Sequence, residues 1–295
     1  MEEAPIVQTL GVVGAGLMGS GIAESAARAG LSVVVYEPAV EPLEGSRQAI
    51  DRSLERAVAG GKLNPDDASA LVDRVRWTTD LDALSEADVV VEAIVEDEAA
   101  KRRLFAQLDE VAADHAILAS NTSSIPIAGL AAATARADRV LGLHFFSPVP
   151  VMTLVEIVVG LDTSPATVAR AEGLVERLGK HAIRTKDRSG FVVNFLLVPY
   201  LMAAVRMYED GFASREDIDE GMRRGCGHPM GPLTLCDFIG LDVLYSVCES
   251  LYDEFKRDEY APPPLLKRMV VAGHLGRKAS RGFYDYAQAR DRSAA

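Results

Sequence analysis

Cysteine is scarce. The three present, Cys226, Cys236 and Cys248, include no Cys-x-x-Cys pair, which argues against a disulfide framework or a cysteine zinc site and fits a reducing compartment. Basic residues are in deficit, 31 Lys and Arg against 43 Asp and Glu for a net charge of −12, so counterion release cannot hold nucleic acid. Any anionic ligand must be gripped by local donors. Long apolar runs are missing as well: the longest, 191–205, is broken by Asn194 and Pro199 and closed by Arg206, short of the ~20 residues of a membrane span. The start, residues 1–5, has no positive flank of the kind a signal peptide carries, and the expected location is the cytoplasm. The histidines at 115, 144, 181, 228 and 274 are scattered without ligand spacing, so no metal is expected. His228, in His-Pro-Met-Gly-Pro, reads as part of a structural turn.

What is present is an ordinary globular composition, 48% hydrophobic and 25% charged over 295 residues, about twice the ~150 that serve as a prior for one domain. The first half alternates short β-rich runs (8–13, 32–36, 88–92, 116–120, 140–144, 154–159 and 182–185) with helical patterns (20–29, 43–58, 98–113 and 165–178). That alternation predicts a parallel sheet covered by helices. Past the charged, glycine-terminated stretch 186–190 the pattern turns helical, with helices over 191–209, 214–224, 241–256 and 265–272. The boundary is therefore placed between 187 and 188, giving an α/β domain (1–187) and a smaller all-α domain (188–295). The helix over 191–209 is apolar almost all round and is expected to be buried on every side, partly by a second subunit.

The run 8–13 leads into Gly14-Ala15-Gly16-Leu17-Met18-Gly19 and then into a helical stretch. A G-x-G-x-x-G placed between strand and helix predicts a Rossmann-type, doubly wound dinucleotide site. Gly14 permits the tight turn, Gly16 lets backbone approach a pyrophosphate, Gly19 lets helix pack on strand, and the helix N-terminus supplies the local anion grip. Glu37 follows Gly19 by 18 residues, near the ~20 at which an acid holds the ribose 2′-hydroxyl. A carboxylate there repels a 2′-phosphate, which favours NAD over NADP. Glu96 and Lys101 follow the next strand toward the same crevice, where cofactor contact and solvated surface charge are both open readings.

His144 and Glu156 are lone ionisable residues in two apolar runs twelve residues apart, joined by a turn holding Pro148 and Pro150. Each is costly to bury alone, and pairing makes them a base with its orienting acid. Ser123 and Ser124 follow the strand 116–120 at the ligand-binding edge of the sheet, unless they cap a helix there. Asn194 is the one polar residue early in an apolar helix and is expected to bond internally or to face a cleft between the domains.

With these motifs in order, together with Val91-Glu-Ala-Ile-Val-Glu-Asp97, Asp187-Arg-Ser-Gly-Phe-Val-Val-Asn194 and Gly276-Arg-Lys-Ala-Ser-Arg-Gly-Phe-Tyr-Asp-Tyr286, the chain resembles the 3-hydroxyacyl-CoA dehydrogenase family, its short-chain bacterial members above all. The resemblance covers nearly the whole chain. It implies that His144 is the catalytic base paired with Glu156, and that Ser123 and Asn194 meet the reacting part of the substrate. It also implies that Glu37, Glu96, Lys101, Ser123 and Ser147 lie at the cofactor, that Ser53 contacts coenzyme A, and that the helical domain forms a homodimer. The expected reaction is NAD-dependent oxidation of a (3S)-3-hydroxyacyl-CoA, short chain such as 3-hydroxybutyryl-CoA, or its reverse. The family usually has asparagine at Ser147, a basic or small residue at Phe195, and often a lysine where Gly60-Gly61 stands. Those departures keep open a substrate carried on acyl carrier protein; a non-catalytic NAD-binding protein on the same fold is the alternative of another class.

Overall fold

The computed structural model describes residues 7–287, and the chain divides between Arg188 and Ser189 into two compact units. In the first, the described strands β1 (Thr9–Val13), β2 (Ser32–Tyr36), β3 (Val75–Thr78), β4 (Val89–Glu92), β5 (Ile117–Ser120), β6 (Val140–Phe145), β7 (Leu154–Val159) and β8 (His181–Lys186) form one sheet. Its order is β3-β2-β1-β4-β5-β6-β7-β8. Neighbours run parallel except β6 and β7, which are antiparallel. The expected doubly wound, mostly parallel α/β sheet is present, and the reversal of winding between β1 and β4 opens the crevice where such sheets bind ligands.

Helices α1 (Leu17–Arg28), α2 (Val40–Ala59), α3 (Pro65–Val72), α4 (Glu98–Val111), α5 (Ile127–Ala131) and α6 (Pro165–Arg177) flank the sheet. The central strands are valine-rich and buried on both faces, as a helix-covered parallel sheet requires. Ile22 and Ala26 of α1 and Leu174 and Val175 of α6 enter one core with Leu10, Val12, Val33 and Leu141. The strand β3 and helix α3 were not expected. In β3 only Val75 of four residues is buried, so this edge strand has no alternating pattern to read. In α3 the signal is local: Pro65 stands in the first turn, and the Asn64 side chain accepts from Asp67 N–H.

In the second unit, α7 (Val193–Glu209), α8 (Arg215–Gly225), α9 (Pro232–Ile239), α10 (Leu241–Phe255) and α11 (Pro264–Val271) pack around Leu201, Met202, Leu233, Cys236, Leu244, Cys248 and Leu251. The unexpected helix is α9, begun by Pro232 in a stretch that reads as a turn. Asp219 of α8 accepts from Leu233 and Thr234 N–H at 2.7 and 3.0 Å, which fixes its first turn. Within the single chain α7 is buried only in part. It buries Val198, Leu201, Met202 and Val205, while Leu196 is 67% and Met207 40% exposed in the single chain. Among the described residues no helix is long and apolar enough to cross a membrane.

A Cβ at Gly19 would fall 1.9 Å from the Gly14 carbonyl oxygen, and backbone cannot yield as a side chain can. Gly19→Ala should therefore lower stability by about 1–3 kcal/mol, measured as a drop in urea midpoint, and weaken NADH binding because the same shift opens the glycine turn.

Candidate active site

The glycine loop follows β1 directly. Gly14 has φ +104°, a left-handed conformation suited to glycine, and its N–H donates to Tyr36 O at 2.9 Å. Gly16 precedes α1 with no side-chain cap, and a Cβ built on it meets nothing within 4 Å. The start of α1 is thus open at Gly16 and its first-turn N–H groups carry no side-chain cap, which suits a pyrophosphate. Leu17 is exposed, and Met18 is half-buried against the core. Glu37, one residue past β2, accepts the Ala15 N–H on Oε2 at 3.2 Å, so its carboxylate lies against the loop. A dinucleotide fits this arrangement of bare backbone and one acid.

At the carboxyl ends of β4 and β5 the ionisable residues form a cluster. Lys101 on α4 is 1% exposed, which removes the solvated-charge reading for it. Its Nζ lies 2.6 Å from Glu92 Oε1 and 3.1 Å from Glu96 Oε2. Glu96 Oε1 accepts from the Thr122 hydroxyl at 2.5 Å, Ser123 N–H at 3.0 Å and the Ser124 hydroxyl at 3.2 Å. Burial pushes the Glu96 carboxyl up, but the Lys101 ammonium and the bonds from Thr122 and Ser123 outweigh it and hold it below its ordinary value. Helix capping by Ser123 or Ser124 is corrected too: α5 has no capping bond from its own N-cap residue, Pro126. Its Ile127 and Ala128 N–H groups donate instead to the Asp187 carboxylate at 2.9 and 2.8 Å. The serines are left to the turn.

Two strands further along, the antiparallel register of β6 and β7 sets His144 opposite Glu156. The two residues are 7% and 0% exposed, and His144 Nδ1 lies 2.7 Å from Glu156 Oε2. A carboxylate only accepts, so this bond places the proton on Nδ1 and makes Nε2 the basic nitrogen. The Phe146 ring stacks edgewise on the imidazole, centroids 4.6 Å apart. Ser147 is exposed just beyond β6.

Ser53, on α2, donates to Glu24 Oε1 at 2.9 Å, an oxygen also held by Arg28. Asn194 stands half-buried in the first turn of α7 in the second unit. Beside it, Phe195 packs on Phe255 and Tyr260 with ring centroids 5.5 and 5.6 Å apart, which accounts for an aromatic at that position. His228 shares a 3.1 Å hydrogen bond with the Tyr200 hydroxyl. Three residues of the site escaped sequence reasoning. Glu92 is central to the acid–ammonium cluster, Thr122 anchors Glu96, and Asn121 Oδ1 accepts the Phe145 N–H at 2.9 Å, tying β6 to the end of β5. Glu92 carried a usable signal, a lone acid in an apolar strand, as at Glu156.

Comparison with known proteins matches residues 9–188 to the family "3-hydroxyacyl-CoA dehydrogenase, NAD binding domain" and residues 190–286 to "3-hydroxyacyl-CoA dehydrogenase, C-terminal domain". A 3-hydroxybutyryl-CoA dehydrogenase of Mycobacterium tuberculosis is 55% identical over 282 residues, 95% of this chain and 99% of that protein. The human mitochondrial hydroxyacyl-coenzyme A dehydrogenase is 44% identical over 95% of this chain and 92% of its own length. The crystal structure of (S)-3-hydroxybutyryl-CoA dehydrogenase from Ralstonia eutropha superposes with a TM-score of 0.90 at 45% identity, covering 95% of this chain and 99% of that one. With both halves matched in order and the glycine loop built for NAD, the chain belongs to the 3-hydroxyacyl-CoA dehydrogenase family of NAD-dependent oxidoreductases.

Proposed function

We propose that the chain oxidises (3S)-3-hydroxybutyryl-CoA to the 3-oxoacyl thioester, or runs the reverse reduction, with His144 and Glu156 as its base pair. The observation that carries this reading is the buried 2.7 Å contact between His144 Nδ1 and Glu156 Oε2. NAD held at the glycine loop supplies the hydride acceptor. Nε2 of His144 takes the proton of the 3-hydroxyl as its carbon gives up hydride, and Glu156 steadies the imidazolium that results. Ser123 and Asn194 orient the reacting oxygen, while Glu37, Glu96, Lys101 and Ser147, together with Ser123, serve the cofactor. Ser53 contacts the coenzyme A portion. These roles rest on matching motifs. Three cysteines outside any disulfide favour the reducing cytoplasm.

The stripe left open on α7 supports the homodimer. Leu196 and Met207 lie on the same helix with Ala203 between them, all on solvent in the single chain. A second copy is the occupant that the family resemblance implies.

NADH oxidation with acetoacetyl-CoA tests the reaction directly, and the coenzyme A thioester should outperform the same acyl group on acyl carrier protein. His144→Ala should lose roughly 10²- to 10⁴-fold in turnover, the usual worth of a general base, with NADH still bound. Unchanged turnover would sink the assignment. Glu37→Ala should narrow the preference for NAD over NADP, read as the ratio of the two kcat/KM values, since the acid that repels the 2′-phosphate is gone. Leu196→Glu should convert a dimer to a folded monomer in light scattering; a wild-type monomer refutes the interface.

A further inference from the structure

Glu92 ends β4 with 0% exposure, and a carboxylate so placed is costly unless its lone pairs are used. Its Oε1 accepts from Lys101 Nζ at 2.6 Å and Ile94 N–H at 2.7 Å, and its Oε2 from the Ser120 hydroxyl at 2.6 Å. From there two routes run to the turn that carries Ser123. Lys101 reaches on to Glu96, which receives Thr122, Ser123 and Ser124. Ser120 Oγ accepts the Thr122 N–H at 3.2 Å. The Glu96 side chain is 40% exposed, so it is the solvent-accessible acid of the two and Glu92 the fully buried one.

We propose that Glu92 is a positioning residue: by pinning the Lys101 ammonium at the end of β4 it fixes Glu96, and with it the Thr122–Ser124 turn, in the place that the cofactor site requires. With Glu92 neutral, its oxygen can still accept from Lys101 but no longer carries charge, and Glu96 is the remaining acid within ion-pair distance of the ammonium. The ammonium then shifts toward the solvent-accessible acid, and Glu96 leaves the Ser123 N–H. The proposal rests on the reading of Glu96 and Ser123 as cofactor-facing residues.

Glu92→Gln tests it with little change of shape. The amide oxygen can still accept from Ile94, and its NH₂ can donate to Ser120. NADH affinity, followed by nicotinamide fluorescence, should fall roughly tenfold or more, as small misplacements in such sites do. If Glu92 acts through Lys101, the double variant Glu92→Gln/Lys101→Met should bind NADH no more weakly than Lys101→Met alone. A residue that only supports the fold would instead give losses that multiply. Glu92→Asp keeps the charge but falls one methylene short of Lys101, and should weaken NADH binding in the same direction even where the amide variant does not fold. Wild-type affinity in either Glu92 variant, or multiplied losses in the double variant, overturns the proposal. The titration needs no thioester, so failure of wild type to turn over acetoacetyl-CoA would sink the substrate assignment and leave Glu92's role standing.

Discussion

The reversal of β7 is the constraint from which the site follows. Had β7 run parallel to β6, their side chains would keep a different register; antiparallel, His144 faces Glu156 directly, and the imidazole finds its acceptor without any loop having to bring it there. Two groups that neither strand could bury alone satisfy each other by one hydrogen bond. The local dielectric that makes an unpaired charge expensive also makes the paired contact strong. Asn121 adds the remaining tie, since its side chain accepts from Phe145 next to the histidine and so holds the end of β6 to that of β5.

A second buried arrangement stands at the ends of β4 and β5, where Glu92 and Glu96 share Lys101. Isolated buried ion pairs add little net stability, because desolvation offsets attraction. Specificity of geometry is the better account here. Each acid accepts further donors from Ile94, Ser120 and the 122–124 turn, so one arrangement satisfies all of them and alternatives leave a donor or acceptor bare. The glycine loop works by the opposite means, with side chains withheld so that the start of α1 is open at Gly16 and uncapped.

Much of this was legible in the sequence because the informative residues break a pattern. Glycines between strand and helix, an acid after the second strand and single ionisable groups in apolar runs all stand out against period-two and period-3.6 backgrounds. The parallel sheet was legible for the same reason. What stayed hidden was of two kinds. Short elements such as β3 and α9 bury too few residues, or begin at a proline that also marks turns. Partners far apart in sequence, such as Asp187 with Ile127 and Ala128, leave no local trace. Glu92 is the instructive miss: it is a lone acid in an apolar strand as Glu156 is, but its charged partner, Lys101, lies on the following helix.

Asp187 also decides where the first half of this protein could be cut. Its carboxylate belongs to the last stretch before the boundary at Arg188 and Ser189, yet it supplies the start of α5, immediately after the serine-rich turn. A gene fragment ending at residue 186 would keep every strand of the sheet and still release the helix that follows Ser123, whereas one codon more would retain the clasp.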